Sequence, residues 1–272
     1  MLKNNIFGLY RRFWSFYRKA VTRYQLHSPL AAEITEILRP DQRWFYAFSD
    51  VEQVRKKMMA SDAVLQMTDY GSGQAVRKQR SLREIVRTAA SSPAQGRRLF
   101  RLAQWRQPDT MLELGTSAGI ATLYLSAAAR HARFISLEGC PACAGVARTN
   151  LDVLHFKNTE VRTGPFSQTL NKALNDLINV DFLYMDGHHD EQATKQYFEK
   201  CLLHSHENTI FVLDDIYWSD GMLAAWEYVQ QHPRVTMTLD YFDMGIALLR
   251  TEIRQKQHFC VVPYLWKPWK FL

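Results

Sequence analysis

From residue 109 onward, short apolar runs alternate with stretches in which apolar side chains recur every three or four positions, the pattern of strands interleaved with amphipathic helices. Strands are predicted over 110–114, 133–137, 159–163, 182–185, 209–213, 235–239 and 246–250, and helices over 120–130, 143–154, 169–175, 191–203 and 221–231. Such alternation predicts an α/β fold, a mostly parallel sheet covered by helices on both faces. The last two strands are joined only by 240–245, too short for a crossover helix, so they must run antiparallel. The expectation is a seven-stranded, mostly parallel sheet with an antiparallel last strand.

The pattern ahead of residue 109 is less regular. Ile6, Leu9, Tyr10, Phe13, Trp14, Phe16, Tyr17 and Val21 recur at helical spacing with Arg11, Arg12, Arg18, Lys19 and Arg23 between them. This predicts a basic amphipathic helix that docks on the rest of the chain, on a second copy as a homodimer, or on a lipid surface. His27-Ser28-Pro29 interrupts it, helices over 30–38 and 51–60 follow, and Gly71-Ser-Gly73 marks a flexible loop before a basic helical run over 78–89. Residues 1–108 thus read as a basic helical cap region, and 109–272 as the sheet domain.

Charge sharpens that division. Residues 1–108 carry 20 Lys and Arg against 8 Asp and Glu; residues 109–272 carry 14 against 19. A basic first part suits phosphate, an anionic membrane surface or an acidic substrate, and equally the solvated side of helices. No uncharged apolar run of about eighteen residues is present and the N-terminus lacks a signal-peptide pattern, so a cytoplasmic protein with reduced cysteines is expected. Cys140-Pro-Ala-Cys143 has the spacing of a redox pair or half a zinc site, but no second such pair follows.

Candidate chemistry begins where the first strand runs through Gly115-Thr-Ser-Ala-Gly119 into a helix. Glycines free the backbone to bend and approach a ligand, and the helix N-terminus aims unsatisfied N–H groups at it. The next strand ends in Glu138, where an acidic side chain accepts hydrogen bonds from a ribose diol. Ser117 stands where a dinucleotide fingerprint has its middle glycine. Glu113-Leu-Gly115-Thr116-Ser117-Ala-Gly119 instead resembles the first motif of class I S-adenosylmethionine-dependent methyltransferases, in the form found in catechol and caffeoyl-type O-methyltransferases. The resemblance implies a Rossmann-like sheet and S-adenosylmethionine, with Glu113, Gly115, Thr116, Ser117, Gly119, Glu138, Gly164 and Asp186 around the cofactor. Where the family commonly has Gly-Asp-Ala, this chain has Gly164-Pro165-Phe166, so stacking or backbone contact must meet the adenine. Residues 1–108 are similar to a group of bacterial class I methyltransferases, chiefly from Bacteroidetes, through His27-Ser28-Pro29, Tyr46-Ala47-Phe48 and Thr68-Asp69-Tyr70-Gly71.

Two further strands end in acids: Met185 leads into Asp186-Gly187-His188-His189, and Leu213 into Asp214-Asp215. Carboxylates gathered at an apolar sheet edge repel one another unless a cation compensates, so Asp186, Asp214 and Asp215 suit Mg²⁺. The bland alternative is that Asp186 and Asp214 merely cap the following helices. The set resembles metal-dependent O-methyltransferases, with Asp215 in place of an Asn, and Asp-Gly-x-His resembles related bacterial sugar O-methyltransferases. That likeness implies His189 as general base beside Asp186, O-methylation of a small molecule, and a possible Mg²⁺ requirement. The alternatives are an RNA methyltransferase, motivated by the basic first part, and a non-catalytic scaffold of the same fold. Against the former, the chain lacks the Asn/Asp-Pro-Pro-aromatic motif and a Pro-Cys loop.

Overall fold

The run Thr110–Leu114, apolar at Met111, Leu112 and Leu114, forms a strand that is buried from Met111 onward, Glu113 included. In the computed structural model, which describes residues 2–40, 43–69 and 76–268, it is the third of ten strands. The main sheet comprises β3 (Thr110–Leu114), β4 (Arg133–Glu138), β5 (Thr159–Thr163), β6 (Val180–Met185), β7 (Ser205–Asp214), β8 (Met237–Asp240), β9 (Met244–Leu248) and β10 (Gln257–Cys260). Their order is β10-β8-β9-β7-β6-β3-β4-β5. The sheet therefore has eight strands where the sequence predicted seven, the additional β10 pairing in parallel with β8. The antiparallel expectation holds: β9 runs against both β7 and β8.

By contact density the chain divides into two compact units, Met1–Glu36 with Leu183–Leu272, and Ile37–Phe182. These differ from the compositional division at 108/109.

In the unit of residues 37–182, β3, β4 and β5 pair in parallel. The helices α3 (Tyr46–Met59), α4 (Leu82–Ala89), α5 (Pro93–Arg106), α6 (Ile120–Ala128), α7 (Pro141–Val153) and α8 (Phe166–Leu177) surround them. Phe48, Val51, Ile85, Phe100, Leu123, Tyr124 and Ala147 belong to one core, so the segment before residue 109 is packed into the body of this unit. The predicted basic helix over 78–89 is half strand: β1 (Val64–Asp69) and β2 (Val76–Ser81) form an antiparallel hairpin, and α4 begins at Leu82 with Ser81 as its cap. Gly71-Ser-Gly73, and the Tyr70-Gly71 end of the third similarity motif, lie outside the described residues.

In the other unit, α1 (Leu2–Lys19) turns its Phe16 face inward, and α2 (Pro29–Ile37), α9 (Glu191–Leu202) and α10 (Asp220–Gln231) complete the helices. Arg12 is buried in this unit: Nε donates to the Tyr217 carbonyl at 2.9 Å, Nη2 to that of Trp218 at 3.1 Å, and Nη1 to Asp220 at 2.9 Å. Of the docking partners the sequence left open for the first helix, its own chain takes one face. A short bridge between Val21 and Val261, with Lys267 Nζ donating to the Ala20 carbonyl at 2.7 Å, ties the helix's end to the far end of the chain.

Candidate active site

The glycine turn between β3 and α6 is left-handed at three places, Gly115 (φ 105°), Ser117 (φ 50°) and Gly119 (φ 88°). A Cβ on Gly119 would meet Ala147 of α7 at 3.0 Å, so glycine is required by both conformation and space. Ser117 has no such freedom, and its strained backbone is held by a specific bond: its N–H donates to Glu138 Oε2 at 2.6 Å. The other oxygen of Glu138 accepts the N–H of Cys140 at 2.8 Å, at the start of α7. Glu138 therefore joins the turn to the next helix, and the Gly139 N–H is a further backbone donor to it. Burial raises its pKa despite those bonds. Gly164 (φ 143°) adjoins it, donating its N–H to the Glu138 carbonyl at 2.9 Å.

Glu113 lies beneath the turn, fully buried. Its Oε2 accepts from Thr122 Oγ1 at 2.6 Å and from Ser136 Oγ, which also bonds Thr116 Oγ1. Its Oε1 is buried with no hydrogen-bond partner among the described residues. Desolvation lifts its carboxyl to about 7. Glu113 and Thr116 thus serve as the turn's foundation. Thr122 and Ser136, their partners, were not singled out by sequence, since isolated hydroxyl residues in apolar runs carry no signal until register brings them together.

The Cys140 and Cys143 thiols are hydrogen-bonded to each other, and this bond is the main cause that pulls Cys140 down to about 5 and pushes Cys143 up. Both are buried beside β1, where the Thr68 N–H approaches Cys140 Sγ at 3.4 Å.

In the unit containing residues 183–272, the acids after β6 and β7 gather. One ligand atom each from Asp186, His189 and Asp215 lie within 4.8 Å of one another, the one such group found among the described residues. His189 Nε2 is 4.0 Å from both Asp186 Oδ1 and Asp215 Oδ2. Asp214 is not in this group. It is buried, accepting from the Tyr184 hydroxyl at 2.6 Å and from the Asp215 N–H at 3.0 Å, and burial, reinforced by the Asp215 charge, raises its pKa. Tyr184 also approaches Asp186 Oδ2 at 3.3 Å, but one phenolic proton serves the shorter bond. An isolated tyrosine in an apolar strand gave no sequence cue to this role.

The capping alternative for these acids does not hold. α9 is capped by Asp190, which accepts from Ala193 N at 2.9 Å, and α10 by Ser219, which accepts from Met222 N at 3.0 Å. Asp186 and Asp214 have other work. His188, left-handed at φ 65°, bonds Tyr197 through Nδ1 at 2.8 Å, while His189 is exposed and turned to the acids. Asp215 is itself left-handed at φ 52°. Its loop is fixed by the Arg12 bonds, by Asp215 N to the Asp243 carbonyl at 2.9 Å, and by Tyr217 bonding buried Asp240 at 2.8 Å. The two carboxylates are a fitting donor pair for Mg²⁺, with waters and substrate oxygens in the remaining positions.

Residues 112–216 match a family described as a methyltransferase domain. The chain is 34% identical over 140 residues to a catechol O-methyltransferase of Niastella koreensis, and 30% identical over 143 residues to one of Mycobacterium tuberculosis. These alignments take in 50% and 52% of this chain but 62% and 63% of the relatives, so the chain spans about three fifths of the length of the curated proteins it matches. Among solved structures, an O-methyltransferase from Bacillus cereus in complex with SAH aligns with TM-score 0.57 at 21% identity, over 80% of this chain and 97% of that one. An O-methyltransferase from Streptomyces achromogenes involved in tomaymycin synthesis, in complex with SAM, gives 0.56 at 17% identity over 80% and 96%. At such identities the likeness shows the fold.

Proposed function

We propose that this chain, residues 112–216 of which match a methyltransferase domain family, transfers a methyl group from S-adenosylmethionine to a hydroxyl oxygen of a small-molecule acceptor. The observation that carries the reading is the strained Gly115–Gly119 turn held by the Glu138 carboxylate, whose three backbone donors leave one of about four acceptor sites for a ribose hydroxyl. The curated relatives, both catechol O-methyltransferases, support oxygen as the acceptor atom.

In this reading Gly115, Thr116, Ser117 and Gly119 receive the methionine end of the donor, Glu138 the ribose, and Gly164 the approach to the adenine. Methyl transfer from a sulfonium is an in-line displacement, so the protein's task is to align the reacting atoms and remove a proton. His189 takes the acceptor hydroxyl's proton at Nε2, and Asp186 and Asp215, each 4.0 Å away, stabilise the imidazolium that results. Were a divalent ion bound, Asp186 and Asp215 would hold it, Mg²⁺ being suited to two carboxylates, and it would lower the pKa of a coordinated hydroxyl. Asp214 supports Asp215 from below through the backbone rather than ligating directly.

The nucleic-acid alternative is the weaker reading once the arginines are traced. Arg12, Arg23, Arg55, Arg80, Arg101 and Arg106 each bond an acid or a carbonyl within the chain, so much of the basic excess is engaged internally. Calorimetry with S-adenosylmethionine tests the reading. Binding is expected, and Glu138→Ala is expected to weaken it about tenfold or more through loss of a charge-assisted bond; unchanged affinity removes the ribose assignment. Activity that survives exhaustive chelation removes the divalent ion.

A further inference from the structure

We propose that the outward face of α1, together with the turn at Tyr264–Trp266, seats the protein on an anionic phospholipid surface. With Arg12, Phe16 and Ala20 turned inward, the opposite stripe of α1 presents Phe7, Tyr10 and Trp14, which are 80%, 62% and 56% exposed. Large aromatic side chains left this bare on a helix that is already docked need an apolar neighbour. The patch continues past the helix. Phe13 packs against Trp14 at 6.1 Å and Trp266 at 6.0 Å, Tyr17 donates to the Trp266 carbonyl at 2.5 Å, and Leu265 beside it is 70% exposed.

Charge selects the occupant. The sequence of α1 holds Lys3, Arg11, Arg12, Arg18 and Lys19 and no Asp or Glu. Arg18 and Lys19 are exposed beside the aromatic stripe, as is Arg11, which pairs with Asp220 at 3.0 Å. A helix with aromatic residues and cations on its free face is suited to lie in the headgroup layer, rings at the acyl boundary and cations among phosphates. Because the inner face stays docked, the helix need not detach. A second copy is a poorer occupant: two-fold packing of this stripe sets its cations opposite their own equivalents with no carboxylate on the helix to answer them.

The test is flotation of the full chain with vesicles of phosphatidylcholine alone and of phosphatidylcholine mixed with phosphatidylglycerol. Binding to the mixed vesicles is expected to exceed binding to the neutral ones about tenfold or more and to weaken as salt is raised. The double variant Phe7→Ser with Trp14→Ser is expected to lose binding about tenfold or more. Its thermal midpoint should stay unchanged, since neither side chain is buried. The proposal is overturned if anionic vesicles do not retain the protein or if the double variant binds them as well as the parent. Equally, it is overturned if those substitutions instead abolish self-association in sedimentation velocity or the binding of a single-stranded RNA oligonucleotide.

Discussion

Replacing Glu113 by Gln tests how the floor beneath the glycine turn is held. The carboxyl is fully buried, its Oε2 accepts two hydroxyl donors, and its pKa is lifted from 4.5 to about 7, chiefly by desolvation. Its folded value lies above its unfolded one. The native state therefore retains a proton through the window from 4.5 to about 7 that the unfolded chain releases, and stability falls as pH rises through it. A tenfold change in equilibrium is worth about 1.4 kcal/mol, so the ionised native state above pH 7 is disfavoured by about 3 kcal/mol, of which roughly 2 to 3 develops between pH 5 and pH 8. Glutamine keeps the shape and an acceptor for Thr122 and Ser136 but has no proton to lose. Urea unfolding of parent and Glu113→Gln at those two pH values cancels the titration of every shared group. The variant is expected to gain roughly 2 to 3 kcal/mol on the parent between pH 5 and pH 8. Parallel pH profiles would refute the reasoning, because they would mean that Glu113 ionises in the folded protein as readily as in the unfolded one.

Two further substitutions probe the frame of the site. Gly119→Ala places a Cβ at 3.0 Å from Ala147 and a side chain on a left-handed residue, so a loss of about 2 kcal/mol in thermal or chemical unfolding is expected, with weaker S-adenosylmethionine binding in calorimetry. Arg12→Ala leaves the carbonyls of Tyr217 and Trp218 without their donor and is expected to lower stability by about 2 to 3 kcal/mol. Asp220→Asn, which removes only the exposed carboxylate of that group, should change unfolding by less than about 1 kcal/mol.

The sequence was most legible where one chemical requirement controls several positions. The path from β3 through Gly115 and Gly119 to Glu138 could be read because apolar runs, obligatory glycines and a strand-end acid fall at fixed separations. It was least legible where strands are polar. β2 is Val-Arg-Lys-Gln-Arg-Ser and β10 is Gln-His-Phe-Cys, and both belong to sheets without displaying an apolar face, so their pairing partners rather than their composition make them strands. The helix α5 was legible and passed over: Ser92-Pro93 with Gln95 forms a capping box at its start. Within the candidate site, the acids were found from their strand-end positions, yet which of them turn toward one another was not. That Asp214 bonds Tyr184 while Asp186, His189 and Asp215 converge depends on two left-handed residues, His188 and Asp215, which no local sequence pattern demands. Arg12 was assigned to the solvated side of a basic helix because its partners lie more than 200 residues away, at a separation of 205 for Tyr217.

That separation has a bearing on how the protein comes into being. The helix that carries Arg12 and Phe16 is translated well before the carbonyls and rings that receive them. At about 5–20 residues per second, the wait is roughly ten to forty seconds. Throughout it an arginine- and aromatic-rich segment stands without its folded partners on the nascent chain, so early docking on a chaperone or on a bilayer would guard against aggregation.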